Sequence, residues 1–154
     1  MENMFCKSLT ATQHFARQLS THLKPSDVVA LVGNLSAGKT TFVKALAQGL
    51  GVGPQTPVTS PTFTIIQEYP GGRFPLFHID FYRLEHQKVL EELGLEEYFG
   101  GAGVTVVEWA DRFPSVFPAR TLWLTFEIGE GEERIIHVAG SEIWRNFRRE
   151  LGEA

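Results

Sequence analysis

The run DVVALVGNLSAGKT, Asp27 to Thr40, decides how this chain is read. Asp27 to Val32 is a short apolar stretch rich in valine. That is the composition of a strand buried on both faces. Gly33 to Thr40 satisfies G-x-x-x-x-G-K-[ST] at every fixed position. The pattern has a physical basis. A triphosphate carries several negative charges and many acceptor oxygens. Glycines let the loop backbone turn so that consecutive N–H groups point inward. A helix opening directly after the loop adds its free N–H groups and its dipole. Gly33, Ser36, Ala37, Gly38, Lys39, Thr40 and Thr41 are the candidate phosphate cradle. Lys39 is placed to reach the β- and γ-phosphates, and the Thr40 hydroxyl to ligate Mg²⁺. A chance match is expected in roughly one chain in several hundred. A preceding buried strand and a following helix make chance a poorer account.

Outward from the loop, the elements alternate. A strand is expected over Met4 to Ser8 and a helix over Thr10 to Leu23, broken by Lys24-Pro25-Ser26. The loop helix should run from Thr40 to Leu50. Thr62 to Tyr69 and Phe74 to Asp80 read as a hairpin about Pro70-Gly71-Gly72. An acidic helix follows, around His86 to Leu93, then a buried strand, Val104 to Glu108. Thr121 to Ile128 and Arg134 to Val138 form a second hairpin about Gly129 to Gly131. Ser141 reads as the N-cap of a last helix carrying Ile143, Trp144, Phe147 and Leu151. The fold expected is α/β and P-loop NTPase-like. It has a parallel core sheet with added antiparallel strands, and helices on both faces. Length and the lack of repeats or linkers give one domain over residues 1–154.

Composition narrows the function classes. Hydrophobic residues are 43% and charged residues 21%, as in ordinary globular chains. The net charge of -4 lacks the basic excess of a dedicated nucleic-acid binder. Cys6 is the lone cysteine, which excludes an intrachain disulfide and leans toward a reducing compartment. No stretch approaches the apolar length of a membrane span or a signal peptide. The expectation is a cytoplasmic protein with no membrane partner.

A phosphate-loop enzyme needs an acid facing the metal from a neighbouring strand end. Asp80 closes LFHID and Glu108 closes VTVVE. A buried carboxylate is costly unless it is paired or bound to a cation. Lys39, Asp80 and Glu108 are therefore the candidate catalytic residues, and Thr40, Glu108 and Asp80 the candidate metal set. Spacing leaves open which acid holds Mg²⁺ and which orients water. VTSPTFT, Val58 to Thr64, reads either as a turn about Pro61 or as a switch that brings Ser60 and Thr62 to the γ-phosphate. His78 alternates with apolar neighbours and reads as structural. Trp109 reads as core or interface, with a position that would report on nucleotide. Arg145, Arg148 and Arg149 read as a solvated helix face.

The run GNLSAGKTTF, then SPTFTIIQEY, HIDFYRL, EELGLEEYF and VEW, resembles the TsaE family of small bacterial ATPases. The resemblance extends from Thr12 to about Gly140. It implies ATP as nucleotide and Mg²⁺ as cofactor. It implies Thr40 and Glu108 as Mg²⁺ ligands, Asp80 as the Walker B acid, and Ser60 and Thr62 in a switch segment. It further implies work with the partner proteins TsaD and TsaB, which transfer threonylcarbamoyl to adenosine in tRNA. The ATPase would reset that complex and meet tRNA only through it. By resemblance alone, Ser8 to Thr12 is a candidate adenine contact. Two positions depart from the family's GDLGAGKT: Asn34 replaces an acid and Ser36 a glycine. Two rivals are a small-molecule kinase with a short lid over Arg112 to Arg120, and an ATP-gated binding module. A GTPase is disfavoured because no N-K-x-D guanine-reading motif occurs.

Overall fold

The computed structural model describes residues 2–34, 38–53, 55–59, 61, 65–140 and 142–150. The strands are β1 (Glu2–Cys6), β2 (Val28–Val32), β3 (Ile66–Tyr69), β4 (Leu76–Asp80), β5 (Val104–Glu108), β6 (Leu122–Ile128) and β7 (Arg134–Ala139). The helices are α1 (Leu9–Ser20), α2 (Lys39–Leu50), α3 (Gln87–Leu93), α4 (Leu95–Phe99) and α5 (Glu142–Glu150). The strands form one sheet in the order β1-β7-β6-β2-β5-β4-β3.

The apolar run after Asp27 becomes β2, flanked by β6 and β5, both parallel to it. β4 extends the parallel part beside β5. β3 on one side, and β7 with β1 on the other, are antiparallel additions. This is the α/β architecture that the composition of the runs implies. Val28 to Leu31 are fully buried because helices cover both faces there. Val29 and Leu31 pack toward Phe15, Phe42, Trp144 and Phe147 of α1, α2 and α5. Val28 and Ala30 pack toward Leu90, Leu95 and Phe99 of α3 and α4. Each fully buried valine or leucine among them contributes about 1.5–3 kcal/mol.

Several boundaries differ from the sequence reading, each for a local reason. β1 ends at Cys6 rather than Ser8, because Ser8 caps α1. Its Oγ accepts from Ala11 N at 3.1 Å. α1 stops at Ser20, short of Leu23, as Ser20 Oγ and Thr21 Oγ1 donate to the carbonyls of Arg17 and Gln18. α4 is an extra helix that the sequence reading lacks. Gly94, at φ 68°, ends α3 and opens α4. Of the first hairpin, residues 62–64 lie outside the described set, as do Ser141 and Leu151 of the last helix. Ser8→Ala removes the α1 cap and should cost about 1 kcal/mol, a Tm lower by about 2–4 °C for a chain of this size. Thermal unfolding by circular dichroism checks this.

Candidate active site

The parallel strands β2, β4 and β5 deliver their carboxyl ends to one edge of the sheet. Ligands of open α/β sheets bind outside such ends. Leu31 pairs with Glu108, and Glu108 in turn with Asp80. The two acids read from the sequence are thus register partners beside the strand that feeds the phosphate loop.

Gly33 and Gly38 both take positive φ, 147° and 98°. At Gly38 a Cβ would meet nothing closer than Arg134 Nε at 3.8 Å. Backbone conformation, not space, therefore demands glycine there. Lys39 opens α2 directly after it. Its Nζ donates to the Gly33 carbonyl at 2.6 Å and lies 3.7 Å from the centroid of the Trp109 ring. Lys39 is only 2% exposed. Burial pushes its pKa below the usual lysine value, against the opposing charges of Glu108, Asp80 and Asp111.

Glu108 is buried at the end of β5 and uses both carboxylate oxygens. Oε1 accepts from Thr40 Oγ1 at 3.3 Å, and Oε2 lies 2.6 Å from His78 Nε2. Asp80 is also buried, and its Oδ1 accepts from Tyr82 N at 2.8 Å. Thr41 faces the other side of the loop. There a cavity of about 190 Å³ is lined by Leu9, Thr12, Gly38, Thr41, Glu132 and Arg134.

The structure thus gathers Gly33, Gly38, Lys39, Thr40, Asp80 and Glu108 at one sheet edge, with Thr41 on the flank. Ser36, Ala37, Ser60 and Thr62 lie outside the described residues. Among the described residues no group of three or more His, Cys, Asp or Glu forms a metal cage. Thr40, Glu108 and Asp80 suit a smaller demand. Mg²⁺ takes oxygen ligands, often one or two carboxylates, and keeps several waters. The hydroxyl–carboxylate contact between Thr40 and Glu108 is such an all-oxygen pair.

Two features of the site escape sequence reasoning. Trp109 and Ile65 both have left-handed backbones, φ 58° and 70°. Such a φ is costly for a β-branched residue such as Ile65. Ile65 N donates to Pro61 O at 2.6 Å, and Ile65 O accepts from Asp80 N at 2.8 Å. The strained residue thereby ties Pro61 to the end of β4. Trp109 turns the chain after Glu108, so that its half-buried ring meets Lys39 and lies tilted against the Tyr82 ring, centroids 5.0 Å apart.

The candidate lid is pinned. Arg112 donates to Leu84 O from Nε and Nη2, at 3.1 and 2.6 Å. Arg120 donates to Ser26 O and Phe99 O. On α5, Arg145 and Arg149 are exposed while Arg148 pairs with Glu2.

A family model described as threonylcarbamoyl adenosine biosynthesis protein TsaE matches residues 6–136. The chain belongs to the TsaE family. A curated TsaE of Bacillus subtilis is 46% identical over 125 residues, 81% of this chain and 77% of that one. The TsaE of Treponema pallidum is 40% identical over 138 residues, 88% of this chain and 100% of that one. A crystal structure of Bacillus subtilis YdiB superposes with a TM-score of 0.81 at 36% identity, covering 98% of this chain and 93% of that one. Among the described residues no helix is long and apolar enough to cross a membrane.

Proposed function

We propose that this TsaE-family chain is a Mg²⁺-dependent ATPase that supports threonylcarbamoyladenosine formation in tRNA by resetting a TsaD–TsaB complex. The observation that carries the reading is the convergence of Lys39, Thr40, Asp80 and Glu108 beside the phosphate loop. Loop N–H groups and the first turn of α2 bind the phosphates. Lys39 leaves the Gly33 carbonyl and the Trp109 ring to meet the β- and γ-oxygens. Thr40 and Glu108 would hold Mg²⁺, with Asp80 beside them, and the ion when bound would supply charge neutralisation at the phosphoryl oxygens. The Thr40–Glu108 contact favours Glu108 for direct ligation and leaves Asp80 to orient water. Ser60 and Thr62 serve the γ-phosphate as a switch. The nucleoside lies toward the cavity at Leu9, Thr12 and Thr41, on the flank of Gly38. Ser8 itself is engaged in capping α1. Asn34 and Ser36, where the family has Asp and Gly, bear on the rate and not on the reaction. tRNA is met through the complex, which puts the protein in the cytoplasm.

The kinase reading is weaker, because the arginines of its lid are held by backbone carbonyls. The test is ATP hydrolysis with and without TsaD and TsaB, followed by a tRNA modification assay. Slow hydrolysis alone and faster hydrolysis with the partners are expected. Phosphotransfer to small hydroxyl compounds, or no association with TsaD and TsaB, would overturn the reading.

A further inference from the structure

His78 sits in the middle of β4, opposite Val106 of β5 in register, and is fully buried. Glu108 lies two residues beyond Val106, so the two side chains share a face and meet diagonally across the strands. His78 Nε2 is 2.6 Å from Glu108 Oε2. Nδ1 is buried and finds no partner among the described residues. That asymmetry is informative. A histidine serving packing alone would satisfy both nitrogens, and an apolar residue would fill the site without an orphaned atom. A carboxylate only accepts, so Nε2 carries the proton.

We propose that His78 is a positioning residue that fixes the Glu108 carboxylate, leaving Oε1 turned toward Thr40 and the phosphate loop. The proposal deepens the Mg²⁺-ATPase reading and rests on it. Its logic is that of metal sites generally. Partners behind a ligand orient it, and their loss lowers metal affinity by about 10–100-fold.

The test titrates MgCl₂ into protein and mant-ADP, following mant fluorescence. For His78→Leu the half-saturating MgCl₂ should rise by at least about tenfold, with metal-free mant-ADP affinity unchanged. His78→Gln places a donor near the position of Nε2 and should stay within about threefold of wild type. Imidazole ¹⁵N shifts of the ligand-free protein should show the Nε2–H form of His78. If His78→Leu does not fold, His78→Gln and His78→Asn decide. Gln should keep the Mg²⁺ response and Asn should lose it. Equal responses from that pair, an unchanged titration in a folded His78→Leu, or an Nδ1–H imidazole would each overturn the positioning role alone. A wild type with no Mg²⁺-dependent mant-ADP binding would overturn the ATPase reading, and this role with it.

Discussion

Lys39→Met should reduce ATP hydrolysis by at least about 100-fold, the scale of loss when one hydrogen-bond donor to a transition state is removed. It should leave the protein as stable as wild type or more so. The first effect follows from the proposed ATPase reading, in which Lys39 is the cation that reaches the transferring phosphoryl group. The second follows from its resting state. A buried ammonium is expensive. Lys39 offsets that with one carbonyl contact, the Trp109 face and nearby acids. The cation–π term is worth about 0.5–2 kcal/mol. Gly33 is half-buried, so water can replace the lost donor. Methionine fills the volume without a charge to desolvate.

The pH dependence gives an independent check. Burial lowers the Lys39 pKa below its ordinary 10.5. Below the folded pKa both states hold the proton, and the native state carries the full penalty. Between the folded pKa and 10.5 the unfolded chain binds more protons, so stability rises with pH. Denaturant midpoints of wild type should therefore climb relative to Lys39→Met as pH rises toward 10.5. A constant gap between the two proteins would contradict the buried, charged lysine.

Much of this site was legible because its chemistry is written in contiguous residues. Buried parallel strands are unbroken apolar runs, so an acid that ends one, as in LFHID and VTVVE, stands out. The candidate phosphate loop is marked by two fixed glycines, Gly33 and Gly38, and both take positive φ. What stayed hidden is not local. Alternation places His78 on a face of β4 but says nothing about a diagonal neighbour on β5. That is why His78 reads as a structural residue until the register is known. The left-handed backbones of Trp109 and Ile65 run against residue preference and leave no sequence signal. α4 escapes a sequence reading because a glycine between helical runs can end one helix and open the next, as Gly94 does. The resting contact of Lys39 with Gly33 is equally unreadable, since the motif describes the lysine with phosphate bound.

Glu108→Ala should damage the fold and the chemistry together, and Glu108→Gln should separate them. In the alanine variant His78 Nε2 loses its partner in a fully buried site whose Nδ1 already has no partner among the described residues. Thr40 Oγ1 loses its acceptor. A buried polar group left unsatisfied costs about 1–3 kcal/mol, and the cavity adds to it. At about 2–4 °C per kcal/mol, the Tm should fall by roughly 4–10 °C. Lys39 would also lose the acid that most strongly opposes the lowering of its pKa, so its ammonium becomes costlier still. Glutamine keeps the volume, and its amide can bond His78 with either ring nitrogen protonated. Its Tm loss should stay under about half that of alanine. Under the proposed reading, neither variant supplies the anionic oxygen that Mg²⁺ requires, so both should lose hydrolysis by about 100-fold or more. Thermal melts alongside hydrolysis with TsaD and TsaB read both effects. Wild-type turnover in Glu108→Gln would remove Glu108 from the metal set and pass direct ligation to Asp80, the register partner one strand away.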